Sequence, residues 1–141
     1  MKKEILIMVV IVSAFALIQT LNFVSTPQIS SSPHLVQTDD MNFVPNVTNA
    51  GDWALVSFWM PGCPACEKLK PAINQIALEN LKSLRILSVN LNESPGLGGQ
   101  FGVSATPTLV LLYRGREVAR KLGYIPVEVL QDWVTTAKES T

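Results

Sequence analysis

The feature that most constrains this chain is a short apolar run that ends at two closely spaced cysteines. Ala54 to Trp59 reads ALVSFW and leads into Met60-Pro61-Gly62-Cys63-Pro64-Ala65-Cys66-Glu67. A nearly continuous apolar run of this kind is expected as a strand covered on both faces, so the chain must place a layer on each side of it. Directly after it, Leu69, Ile73, Ile76 and Ala77 mark one helical face within Glu67 to Asn80. Pro71 is expected to kink that helix rather than abolish it. The cysteines therefore stand where a strand gives way to a helix. At such a junction the first backbone N–H groups lack carbonyl partners and the helix dipole presents its positive end, which favours an anion. Cys63, at or near the N-cap, is the candidate thiolate and nucleophile, and Pro64 suits the first helical position. Cys66, one turn inside, is close enough for a disulfide and better shielded, as a resolving thiol should be.

Spacing alone leaves other uses of the pair open. Two cysteines three apart also serve as half a zinc knuckle, as a loop for a soft metal such as Cu(I), as a structural disulfide, or as incidental core residues. The count narrows this. With two Cys and one His in the chain, four Cys/His ligands for an intramolecular structural zinc site do not exist, and no metal site is expected. A bridge closing so short a loop restrains the unfolded chain little, which weakens the purely structural reading.

Further along, Arg85 to Leu91 (RILSVNL) reads as a second strand, and Ser94 to Gly99, with Pro95 and several glycines, as loop or at most a weak helix. Thr108 to Tyr113 and Glu117 to Leu122 flank Arg114-Gly115-Arg116 as a β-hairpin. Pro126 to Lys138 opens on proline and carries Val127, Leu130, Trp133 and Val134 as the apolar face of a final helix. Strand, helix, strand, hairpin, helix is the order of an α/β sandwich. Trp53 and Trp133 are expected to pack in or against the core. Arg114, Arg116, Arg120 and Lys121 are expected to form a solvated hairpin edge.

The N-terminus is of a different kind. Lys2 and Lys3 precede an apolar run from Ile5 to Ile18 broken only by Ser13, the pattern of an export signal or a signal anchor. The run is shorter than the roughly 18 to 20 residues that span a bilayer securely, although Leu21, Phe23 and Val24 extend it. Ala14 and Ala16 offer an early cleavage site, and the uncut anchor is favoured. Residues 1–24 are thus expected as signal anchor or signal peptide, 25–38 as a flexible Ser/Pro-rich tether containing the sole histidine, His34, and 39–141 as the globular domain. With the lysines on the cytoplasmic side, the domain is expected outside the cytoplasm, on a membrane or secreted. The chain has 11 Lys+Arg against 11 Asp+Glu, a formal net charge of zero. That offers no basic excess for coating nucleic acid, and none is expected as partner.

From Phe43 to about Ala137 the chain resembles the thioredoxin family. Ala54–Trp59 followed by Cys63-Pro64-Ala65-Cys66 looks like the family's strand and active-site turn, with Pro71 at its kinking proline. Asn90 with Ser94-Pro95-Gly96, then Phe101-Gly102-Val103-Ser104-Ala105-Thr106-Pro107-Thr108, looks like its linking segment and cis-proline loop. Gly115, Glu117-Val118 and Gly123 continue the pattern. The resemblance implies a thioredoxin-like sandwich, a central mixed β-sheet flanked by helices, here preceded by the hydrophobic N-terminal helix. It implies a thiol–disulfide oxidoreductase whose redox-active disulfide is Cys63–Cys66, most simply a reductase of exported protein substrates. Pro107 is then the cis proline facing the disulfide, and Thr106 offers backbone groups to a substrate strand. Gly123 lets that strand approach, and Trp59 and Gly62 complete the substrate-binding rim. Partners would be disulfide-containing or dithiol proteins, a redox partner protein that supplies or accepts electrons, and the membrane through the N-terminal segment.

Without a glycine-rich nucleotide fingerprint or an evident flavin or haem site, no bound cofactor is needed. Against this stand a Cu(I) binding or delivery module and a noncatalytic thioredoxin-like interaction domain. The sequence also departs from the family. Gly62 replaces the tryptophan that commonly precedes the first cysteine, and Pro64-Ala65 replaces Gly-Pro. Ser57 and Ser88 stand where the family carries a buried carboxylate and a lysine that often pairs with it. Both charges are gone together, which avoids stranding one of them. Glu67 lies at helical i,i+4 spacing from Cys63, and the plainer reading makes it a solvated acid in a favourable first-turn position.

Overall fold

The computed structural model describes residues 1–21, 35–80 and 82–141. The chain divides into two units, Met1–Ser30 and Ser31–Thr141. In the first, α1 covers Lys2–Leu21. In the second the elements are β1 (Leu35–Gln37), α2 (Phe43–Thr48), β2 (Trp53–Trp59), α3 (Pro64–Glu79), β3 (Arg85–Asn90), α4 (Pro95–Gln100), β4 (Thr108–Tyr113), β5 (Arg116–Leu122) and α5 (Val127–Glu139).

The five strands form one sheet in the order β1-β3-β2-β4-β5. β1 and β2 run parallel to β3, whereas β4 is antiparallel to β2 and β5 antiparallel to β4. β2 therefore has a partner on each edge, and its residues from Ala54 to Phe58 are all buried. Successive side chains of a strand point to opposite faces, so a buried strand apolar at nearly every position needs two cores. The structure supplies both. Leu55, Ile86, Leu109 and Leu111 pack with Leu69, Ile73 and Ile76 of α3 and Leu130 and Val134 of α5. On the other face Val56, Phe58, Val89, Val110 and Leu112 pack with Phe43 of α2 and Leu97 of α4. This is the expected mixed sheet between helical layers.

Several boundaries differ from the sequence reading. Leu35–Gln37, assigned by composition to the tether, form β1, with Leu35, Val36 and Gln37 in register with Ile86, Leu87 and Ser88. Residues 22–34, which hold the rest of the expected tether and His34, lie outside the described residues. Ser94 to Gly99 was expected to be loop or weak helix, and the structure forms α4 there, because Leu97 is buried and its N–H is capped by Asp40 Oδ1 at 2.8 Å. α3 runs through Pro71, whose ring is exposed. The hairpin turns at Arg114 and Gly115, both at positive φ, the geometry a two-residue turn requires to follow the twist of its strands. Trp53 at the start of β2 and Trp133 on α5 pack against the core, as expected.

In the N-terminal unit the apolar run is helical, and its described side chains Ile5 and Ile7 to Val12 are exposed. Among the described residues no helix is long and apolar enough to cross a membrane. The expected anchor is thus not a finding of the structure.

Candidate active site

α3 begins where the sequence places the cysteines. Cys63 is its N-cap, in extended backbone conformation with φ −92° and ψ 106°, and Pro64 takes the first helical position. Gly62 just before it has φ +76°, a left-handed conformation that side-chain-bearing residues rarely adopt. The chain can thus turn sharply out of β2 into the helix. Cys63 and Cys66 are joined as a disulfide with Cα atoms 5.2 Å apart. The Cys66 backbone N–H donates to Cys63 Sγ at 3.2 Å. When the bridge opens, that amide and the helix dipole both favour negative charge on Cys63. Cys66 is only 2% exposed and Cys63 is partly exposed, so an incoming sulfur meets Cys63 first.

The facing wall comes from the segment before β4. The Thr106–Pro107 bond is cis, and the Thr106 carbonyl oxygen lies 3.7 Å from Cys63 Sγ. Pro107 is buried, and its carbonyl accepts the Gly123 N–H at 2.8 Å, tying the wall to the end of β5. Thr108 Oγ1 donates to the Ala105 carbonyl at 2.7 Å and closes the turn. Cys63, Cys66, Thr106, Pro107 and Gly123 thus gather at one end of the sheet, with Gly62 at the rim. The start of the loop is held as well, because Arg120 Nη2 donates to the Phe101 carbonyl at 2.7 Å.

Trp59 ends β2 beside this site. Its indole Nε1 donates to Ser88 Oγ at 2.9 Å, and the Lys70 ammonium sits 5.4 Å from its ring centroid. Ser57 and Ser88 are register partners on adjacent parallel strands and are 7% and 6% exposed. Their strand alternation places them on the face covered by α3, the face of Leu55 and Ile86. The buried polar residues among those described are Thr38, Ser57, Ser88, Asn90, Ser94 and Thr108, none of them charged. Glu67 is exposed, as its plainer reading expects, and both its oxygens accept from Lys70 Nζ, at 2.7 and 2.9 Å.

A disulfide at the head of a helix, facing a cis-proline loop at the end of a mixed sheet, defines a thiol–disulfide exchange site. The chain belongs to the thioredoxin family, whose model, described as Thioredoxin, matches residues 34–136. It is similar to the thioredoxin of Pyropia yezoensis, 30% identical over 94 residues, covering 67% of this chain and 88% of that protein. Against the thioredoxin of Haemophilus influenzae it is 29% identical over 100 residues, 71% of this chain and 94% of the relative. Thioredoxin 1 of a Nostoc species is 30% identical over 94 residues, again 67% and 88%. The protein is a protein-disulfide oxidoreductase.

Two contacts near the site lie outside the motifs, and one of them leaves a signal in the sequence. The Lys70–Glu67 pair was legible as opposite charges at i,i+3 on one helix. The Trp59–Ser88 bond joins diagonal neighbours on adjacent strands and becomes visible only once the register is known.

A third local pair depends on a bulge. Leu111 pairs with Ala119 but Leu112 with Glu117, so Val118 is an extra residue in β5. In a regular strand, residues three apart face opposite sides; the inserted residue restores Glu117 and Arg120 to one side. They form an ion pair at 2.8 Å. The hydrogen bond from Arg120 holds the Glu117 carboxyl below its ordinary value of 4.5. A carboxyl whose folded value is depressed stabilises the fold above its unfolded value and loses that stabilisation as pH falls through the folded one. Both side chains are about a third exposed, at 35% and 36%, so the contribution is under about 1 kcal/mol. Glu117→Gln is expected to lower the urea midpoint slightly at pH 7 and to shrink the loss of stability on acidification below pH 4.5. An acid loss equal to that of the wild type would contradict this assignment.

Proposed function

We propose that this protein reduces disulfides of exported proteins through the Cys63–Cys66 pair, with its domain held outside the cytoplasm by the N-terminal helix. The observation that carries the chemistry is the position of Cys63: at the N-cap of α3, receiving the Cys66 amide, and 3.7 Å from the Thr106 carbonyl oxygen. In the reduced protein the Cys63 thiolate attacks one sulfur of a substrate disulfide. A mixed disulfide forms and one substrate thiolate leaves, taking a proton from solvent. The substrate strand lies along Thr106, whose backbone groups pair with it, against Pro107 and with Gly123 and Trp59 at its flanks. Cys66 then loses its proton and attacks Cys63 Sγ, closing the internal disulfide and expelling the second substrate thiolate. The substrate gains two electrons and the protein loses two. A dithiol partner protein must restore the reduced pair.

The buried surroundings bear on the second step. Ser57 and Ser88 are neutral, so water or the departing substrate thiolate takes the Cys66 proton rather than a buried carboxylate. The reducing direction is supported by the partly exposed Cys63 and the enclosed Cys66, an arrangement that releases a captured substrate. With insulin as substrate, Cys63→Ser is expected to abolish turnover, while Cys66→Ser accumulates a mixed disulfide with the substrate. Turnover by the double-serine variant would overturn the mechanism.

The location is supported by Lys2 and Lys3 ahead of the apolar run and by the exposed apolar side chains of Ile5 and Ile7 to Val12, which need a cover that water does not supply. The full chain expressed in a bacterial cell is expected to stay with membranes through an alkaline carbonate wash and to be digested by protease added to spheroplasts. Recovery of the intact chain in the cytosolic fraction would refute the placement.

A further inference from the structure

The first turns of α3 put a carboxylate where the proposed chemistry does not favour one. Glu67 is four residues after Cys63, and its N–H donates to the Cys63 carbonyl at 3.2 Å, so the two side chains share one helix face. A free carboxylate there opposes the thiolate that the helix dipole favours. The structure does not leave it free. Lys70 Nζ contacts both Glu67 oxygens, at 2.7 and 2.9 Å. The same ammonium lies over the Trp59 ring at 5.4 Å, and the ring is fixed at its edge by the 2.9 Å bond from Nε1 to Ser88 Oγ. Ser88, Trp59, Lys70 and Glu67 form a chain of contacts from the buried sheet to the helix turn that carries the cysteines.

We propose that Lys70 is a positioning residue for disulfide exchange: seated on Trp59, it holds and neutralises the Glu67 carboxylate so that the charge does not oppose the Cys63 thiolate. This rests on Cys63 being the nucleophile. The other groups around the pair are few. The loop brings Thr106, Pro107 and Thr108, which do not titrate. The register row beneath α3 runs Ser88, Ser57, Leu109, Lys121, with its only charge on the edge strand β5. On α3 itself Lys68 is exposed. Among the described residues, Lys70 alone joins Glu67 to the aromatic wall.

The test is a double-mutant cycle read by the rate of Cys63 alkylation with iodoacetamide across pH in the reduced full-length protein. Lys70→Met is expected to move the pH midpoint of alkylation upward and to slow the reaction at pH 7 by about two- to fivefold, the scale of an exposed charge interaction. In a Glu67→Gln background the same change is expected to have no effect, because the carboxylate it restrains is gone. Lys70→Arg, which keeps both the charge and the stacking, is expected to retain the wild-type midpoint. A purely structural role would slow all of these variants alike, and a direct effect of the Lys70 charge on the sulfur would slow Lys70→Met equally in both backgrounds. Either result, or no change at all, overturns the proposal. If wild-type Cys63 itself reacts no faster than an ordinary thiol, the nucleophile assignment fails instead, so the two failures can be told apart.

Discussion

The contact on which the site depends is the amide of Cys66 pointing at the sulfur of Cys63. It exists because a helix starts there, and the helix starts there because β2 is spent as a strand at Trp59. β2 is apolar at almost every position and buried from Ala54 to Phe58, so its end is fixed by cores on both faces rather than by a flexible loop. Gly62 and Pro64 then make the turn and the first helical residue. A thiol placed at this point needs no ionisable neighbour to become reactive, since unpaired helix amides supply the positive potential.

That independence fits the neutral interior. The Ser57–Ser88 pair occupies adjacent register positions beneath α3, and no buried side chain among the described residues is charged. Burying a carboxylate and a lysine together is often no more stabilising than neutral residues of similar size, whereas removing one partner leaves a costly unpaired ion. Here Ser88 instead receives the Trp59 indole, so the site's tryptophan is held by the sheet, while the nearby charges stay at the surface on α3, where solvent screens them.

Much of this was legible in the sequence. The run Ala54–Trp59, the helical spacing of Leu69, Ile73 and Ile76, the hairpin about Arg114-Gly115 and the amphipathic Pro126–Lys138 are local patterns, and each appears as its element, the last as α5. What escaped depends on distant partners. β1 is three residues long inside a Ser/Pro-rich segment and is a strand only because β3 pairs with it in parallel. α2 is a six-residue helix with Pro45 in its first turn, and α4 is glycine-rich; packing of Phe43 and Leu97 and the cap from Asp40 hold them, none of which a propensity reading contains. The cysteines and Thr106-Pro107 could be named from the sequence, but their approach across the sheet end, and the Trp59–Ser88 bond, follow from strand order.

The most direct test of the central claim is a site-resolved titration of the reduced protein, following the Cβ carbon signals of Cys63 and Cys66 by NMR. Helix-end activation predicts that Cys63 loses its proton first, well below the ordinary thiol value of about 8.5, and that Cys66 follows at higher pH. If Cys66 titrated first, or if both titrated together at the ordinary value, the helix terminus would not be activating Cys63.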